Sequence, residues 1–216
     1  MPATWHRLSE ASPADSTLLV LLPGRREQPG DFERHGFFAD IRPEHRLDVV
    51  TVDLHLGYYR ERNLDVRLRQ DILEPARQQG YRRIEMIGVS LGGLGALIYT
   101  DRFPGEVDRI VLLSPYTGGE AIVREIRAAG GLERWKPGLV EEDDRDREIW
   151  AAWRDRPPAA GDRPETLVAV GAQDRFREAN ALFADTFLGG RLTVIDGGHD
   201  WKTWTTLFRS LFNLGS

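Results

Sequence analysis

The sequence predicts an α/β fold: a doubly wound, mostly parallel sheet with helices on both faces and a small helical cap. Three observations lead there. Short apolar runs rich in Val, Leu and Ile recur through the chain, each bounded by Gly, Pro or Asp. Amphipathic stretches of helical length lie between them, and regular alternation of the two argues for parallel strands joined by crossover helices. One long segment, residues 115–164, breaks the alternation and contains no good strand. The 216 residues suit one domain with one sizeable core.

In chain order, a weak edge strand is expected around Thr4–Leu8. Buried strands are expected at Leu18–Leu22, Leu47–Val52, Arg83–Val89, Val107–Leu113, Thr166–Val170 and Leu192–Ile195. Helices are expected at Phe32–Asp40, Leu64–Gln79, Leu91–Arg102, Phe176–Phe187 and Trp201–Phe212. In the second of these, Leu64, Leu68, Ile72, Leu73 and Ala76 recur at helical spacing, opposite Asp65, Arg67, Arg69 and Gln70. Pro75 bends that helix or opens a new turn, and Gln79-Gly80 ends it. The 115–164 segment is expected to hold one helix near Ala121–Ala129 and a second near Arg147–Arg154. Between them a Gly130-Gly131 break leads to an acidic run, Glu141–Asp146, that reads as a solvated helix start. Pro157, Pro158 and Pro164 end the segment, which is read as an insertion over the strand ends.

Composition narrows the function. A formal net charge of -5 gives no electrostatic footprint for nucleic acid. Lys136 and Lys202 are the only lysines, so arginine supplies the rest of the 29 basic residues; these are scattered, with carboxylates close to most. The absence of cysteine removes disulfides, thiolate zinc sites and a cysteine nucleophile together. The first apolar run is strand-sized and stops at Pro23-Gly24, so neither a signal peptide nor a membrane span is visible, and a cytoplasmic location is the default. No oligomeric state follows from the sequence.

Residues 88–92, Gly-Val-Ser-Leu-Gly, fall between a strand and a small-residue helix. A Gly-x-Ser-x-Gly in that setting is a nucleophile elbow, a tight turn that pushes a serine hydroxyl into an open site. The other reading is a glycine-rich turn with an inert serine. Serine is a poor nucleophile unless a base lies within hydrogen-bond reach and a carboxylate orients that base. Functional groups in such sheets gather at the carboxyl ends of strands. After the last strand comes Asp196-Gly197-Gly198-His199-Asp200-Trp201, and His199 is the only histidine downstream of Ser90. After Thr166–Val170 comes Gly171-Ala172-Gln173-Asp174-Arg175-Phe176, where Asp174 can accept the far ring N–H of His199 or cap the next helix. Asp196 and Asp200 are rivals for that role, with Asp200 better placed to cap the last helix. The strand before Ser114 is followed by no carboxylate.

The oxyanion hole should take one backbone N–H from Leu91. The other should come from the loop Pro23-Gly24-Arg25-Arg26, with Arg25 favoured and Gly24 or Arg26 open. His55, Tyr58, Tyr59, Tyr116 and Trp135 fall after strand ends or in the insertion, and either shape the pocket or pack in the core.

Taken together, LLPGRR at 21–26, GVSLGGLGA at 88–96, VGAQDRF at 170–176 and DGGHDW at 196–201 resemble the α/β-hydrolase superfamily over nearly the whole chain. Around His199 and Trp204 the chain looks similar to serine esterases ending in Gly-His-Asp-x-x-x-Trp, including feruloyl-type and mycolyltransferase-like esterases. Many relatives carry His-Gly where this chain has Pro23-Gly24. The resemblance implies acyl-group hydrolysis. The expected activity is cleavage of a small-molecule carboxylic ester or thioester by Ser90, Asp174 and His199, with no cofactor and no metal. The other readings are a catalytically silent binding protein on the same scaffold, or acyl transfer. A metal-dependent phosphoesterase using Asp53, His55, His199 and Asp200 leaves the elbow unexplained.

Overall fold

A computed structural model describes residues 1–141, 144–155 and 164–213. Glu142 and Asp143 of the acidic run, and Pro157 and Pro158, lie outside the described residues. The strands are β1 (Ala3–His6), β2 (Thr17–Leu22), β3 (Leu47–Val52), β4 (Arg83–Val89), β5 (Arg109–Leu113), β6 (Glu165–Gly171) and β7 (Thr193–Ile195). The helices are α1 (Pro29–Arg34), α2 (Leu56–Arg60), α3 (Leu64–Leu68), α4 (Glu74–Gln78), α5 (Leu91–Arg102), α6 (Glu120–Ala128), α7 (Arg145–Asp155), α8 (Arg177–Phe187) and α9 (Trp201–Leu211).

Among the described residues, seven strands form one sheet in the order β1-β3-β2-β4-β5-β6-β7. Only β1 runs antiparallel, pairing with β3; the rest are parallel. The order reverses between β2 and β4, whose outgoing chains wind in opposite directions. Such a switch point leaves a crevice beyond the carboxyl ends of the strands. The nucleophile elbow follows β4, and the Pro23–Arg26 loop follows β2, so both stand at this crevice.

Side chains alternate between the two faces along each strand. Leu18, Val20 and Leu22 join a core with Leu64, Leu68, Ile72, Ala96, Tyr99, Trp135 and Trp150. Leu19 and Leu21 point the other way, into a core with Phe32, Phe37, Trp204, Leu207 and Phe208. Strands buried on both faces read as unbroken apolar runs, which is why they stand out in the sequence.

Two expectations are corrected, and one element is new. The single helix expected over Leu64–Gln79 is interrupted by a π-helical turn at Arg69–Leu73, where the Glu74 N–H reaches back to the Arg69 carbonyl. Pro75 is the physical reason: it has no N–H to offer the Asp71 carbonyl, and its ring crowds that turn. The helix expected over Phe32–Asp40 stops at Arg34. Gly36 takes φ +64, and the Phe37 N–H returns to the Phe32 carbonyl, which closes the helix by a left-handed cap. A short helix, α2, has no counterpart among the expected elements; His55 caps it, its Nδ1 accepting the Gly57 N–H at 3.0 Å.

Candidate active site

The turn after β4 is held open by close packing. A Cβ built on Gly92 would lie 2.1 Å from the Leu22 carbonyl oxygen, and one on Gly88 would lie 2.5 Å from the Gly92 carbonyl oxygen. Only glycine lets α5 approach the ends of β2 and β4 this closely. Between these glycines Ser90 adopts φ 51 and ψ -116, a conformation L-residues rarely hold. Three backbone bonds hold it there: its N–H to the Leu113 carbonyl at 3.0 Å, and its carbonyl accepting from Gly93 at 3.0 Å and Tyr116 at 2.8 Å.

Ser90, Asp174 and His199 come together. His199 Nε2 lies 2.9 Å from Ser90 Oγ, and its Nδ1 lies 2.8 Å from Asp174 Oδ2. A carboxylate facing Nδ1 fixes the proton there and leaves the Nε2 lone pair for the serine hydroxyl. The Asp174 side chain is wholly inaccessible, and that of His199 is 12% exposed. Burial pushes the Asp174 carboxyl up. The opposing pulls prevail and hold it below the usual carboxylate range: the His199 bond, the Phe176 N–H at 2.8 Å, and the nearby Ser114 hydroxyl, which acts on the charge without a well-aligned hydrogen bond. Asp174 therefore both faces His199 and caps the start of the following turn.

The loop carrying His199 is stitched to the loop carrying Asp174. Gly197 N–H donates to Gln173 Oε1 at 2.8 Å, and Gln173 N–H donates to the Gly197 carbonyl at 2.9 Å. Asp200 caps α9 through the Thr203 N–H, so it is committed elsewhere. The imidazole is clamped edge-on between Phe176 and Trp204, at 5.1 and 5.0 Å between ring centroids. Sequence reasoning does not single out Phe176, Ser114 or Tyr59 for these places. Tyr59 donates to the Leu91 carbonyl at 2.7 Å and so anchors the first turn of α5.

Leu91 is the first residue of α5, and its N–H has no partner in the helix. Gly24 also lies against Ser90: a Cβ there would sit 3.2 Å from Ser90 Cβ and 2.3 Å from Glu27 Oε2. The Arg26 N–H already donates to Glu27 Oε2 at 3.1 Å, which leaves Arg25 or Gly24 as the second donor of this loop. Tyr116 stands at the site edge, its ring edge-on to Phe176 at 5.2 Å and its hydroxyl bonded to Asp146. His55 and Tyr58 stack on each other at 4.4 Å and neither hydrogen-bonds to nor stacks on the three central side chains. Trp135 is 2% exposed, packs in the core and donates its indole N–H to Glu125; it is a structural residue, because α6 and α7 close over it. Among the described residues no group of three His, Cys, Asp or Glu side chains could hold a metal ion.

Residues 67–212 match the model of the family Esterase, described as Putative esterase. The chain belongs to this family. It is a hydrolase acting on esters, with the α/β-hydrolase fold. Similar solved structures include FphF, a fluorophosphonate-binding serine hydrolase of Staphylococcus aureus, at 17% identity and TM-score 0.66, covering 95% of this chain and 84% of that one. The S-formylglutathione hydrolase FrmB of Staphylococcus aureus matches at 17% identity and TM-score 0.63, covering 92% and 80%. A ferulic acid esterase matches at 15% identity and TM-score 0.62, covering 99% and 97%. No curated protein matches this esterase in sequence. No described helix of the esterase is long and apolar enough to cross a membrane.

Proposed function

We propose that this esterase cleaves a small carboxylic ester or thioester by way of an acyl-enzyme on Ser90. The observation that carries the proposal is the unbroken hydrogen-bonded line from Asp174 Oδ2 through His199 to Ser90 Oγ. His199 Nε2 takes the hydroxyl proton as Oγ bonds to the carbonyl carbon. The negative oxygen that results faces the Leu91 N–H and an N–H of the β2 loop, Arg25 for preference; each such donor contributes roughly 10²–10³ in rate. His199 then protonates the leaving oxygen or sulfur as its bond to carbon breaks. Water, deprotonated by the same imidazole, releases the acid and restores Ser90.

Residues 1–216 form one domain in this reading, with 115–164 as a cap beside the crevice; Tyr116 belongs to the substrate pocket. No metal or cofactor takes part. The test is labelling with a fluorophosphonate beside turnover of a short p-nitrophenyl ester. Wild-type protein should do both and Ser90→Ala neither. Labelling retained in the Ser90→Ala protein removes Ser90 from its role.

A further inference from the structure

Many of the described arginines are ion-paired, as between Arg147 and Glu125, Arg109 and Glu85, or Arg209 and Asp40. Others are not, and three of these stand on the loops that build the site. Arg25 and Arg26 follow β2, Arg175 follows Asp174, all three are exposed, and none has a carboxylate partner among the described residues. Arg175 lies over the Phe176 ring at 4.8 Å, and Phe176 packs edge-on against both His199 and Tyr116. Arg25 follows Gly24, where an added Cβ would sit 3.2 Å from Ser90 Cβ, so its loop borders the same opening. Two arginines without carboxylate partners thus stand on loops beside Ser90 and His199, Arg25 next to Gly24 and Arg175 over the Phe176 ring of the Tyr116–Phe176 lip.

The carboxylates facing this lip are committed to other donors. Asp146 accepts from Tyr116 and from the Gly119 N–H. Asp144 is paired with Arg147, and Glu27 holds the Arg26 N–H. A guanidinium presents its donors in a planar fork that matches a carboxylate.

We infer that the substrate carries a carboxylate near the scissile bond, bound by Arg25 and Arg175 across the Tyr116–Phe176 lip. This rests on the proposed reaction at Ser90 and names the class of ester or thioester that enters. The negative charge of the whole chain does not oppose it, because screening confines the interaction to within about 10 Å at 0.1 M salt.

The experiment compares kcat/KM for charged and neutral isosteres in two arms. In the acyl arm, p-nitrophenyl hemisuccinate is set against p-nitrophenyl 4-methylvalerate. In the leaving-group arm, the butyryl thioester of 3-mercaptopropionate is set against that of 3-methylbutane-1-thiol. At low salt one arm should favour the charged member by about fivefold, the upper scale of a solvent-exposed charge pair. That ratio should fall several-fold in Arg175→Gln and in Arg25→Gln, and also in wild-type protein in 0.5 M salt. Ratios at or below one in both arms, with fluorophosphonate labelling and neutral-ester turnover intact, overturn the inference and leave the hydrolase reading standing. A preference unchanged in both variants overturns the assignment to these arginines. Absence of both labelling and turnover removes the reaction itself, and the inference with it.

Discussion

Replacing Asp174 with asparagine keeps the size of the side chain and removes its charge. In the folded protein one carboxylate oxygen accepts from the Phe176 N–H at 2.8 Å and the other faces His199 Nδ1 at 2.8 Å. The Phe176 N–H is a fixed donor, so the amide oxygen of the new side chain must stay on it and the amide NH2 must turn to the imidazole. Nδ1 then becomes an acceptor, and the ring proton moves to Nε2, 2.9 Å from Ser90 Oγ. In that tautomer no lone pair is left to take the hydroxyl proton, and the imidazolium formed in the reaction has no counter-charge. The side chain is inaccessible, so water cannot rescue the geometry. A wrong tautomer of this kind costs about 10⁴ in kcat, or roughly 5.5 kcal/mol of barrier. Hydrogen-bond number and packing are conserved, so the melting temperature should move by only a few degrees. The assay is kcat on p-nitrophenyl butyrate beside thermal unfolding. A folded Asp174→Asn protein that keeps more than about a tenth of wild-type kcat refutes the reasoning, because the tautomer would then be set by something else.

Three further outcomes are expected. Gly92→Ala would drive a methyl group onto the backbone oxygens of Leu22 and Pro23, at 2.1 and 2.6 Å; it should destabilise the fold by about 2 kcal/mol and lower Tm by roughly 4–8 °C, and unchanged melting by calorimetry would show that α5 can slide away. Glu27→Gln keeps an acceptor for the Arg26 N–H but removes a negative charge beside Gly24 and Ser90; kcat/KM on a neutral ester should rise about threefold at low salt and converge on wild type at 1 M, whereas a fall would show that the carboxylate helps. Arg147 bonds to Glu125 and Asp144 and holds both carboxyls below their ordinary values, so their contribution to stability is complete above about pH 5 and is lost as the pH falls through the depressed values; hydrogen-exchange protection of α6 and α7 should drop at pH 3 more than that of β4, and equal loss in the two would separate this cluster from the stability of α6 and α7.

The strands are legible in the sequence because burial on both faces leaves little polar period to disguise them: Leu18–Leu22 can be little else. The central side chains of the site are legible for a related reason. Ser90, Asp174 and His199 each follow a strand end, in loops whose glycines have no other evident use. The aromatic neighbours are not legible, because Trp135 and Tyr116 differ only in what the helices after β5 lay over them. One is closed in by α6 and α7 with its indole bonded to Glu125, and the other is left at the edge against Phe176. The place of His55 is hidden because helix α2, whose first turn takes up its Nδ1, is too short to show a period. Ser114 gives no signal as a carboxylate would; what stands after β5 is a fully buried hydroxyl at φ 48 beside the carboxylate of Asp174. The deepest gap is strand order. Nothing local says that β2 lies beside β4 with β3 on its far side, yet that exchange is what brings the loop of Gly24 against Ser90.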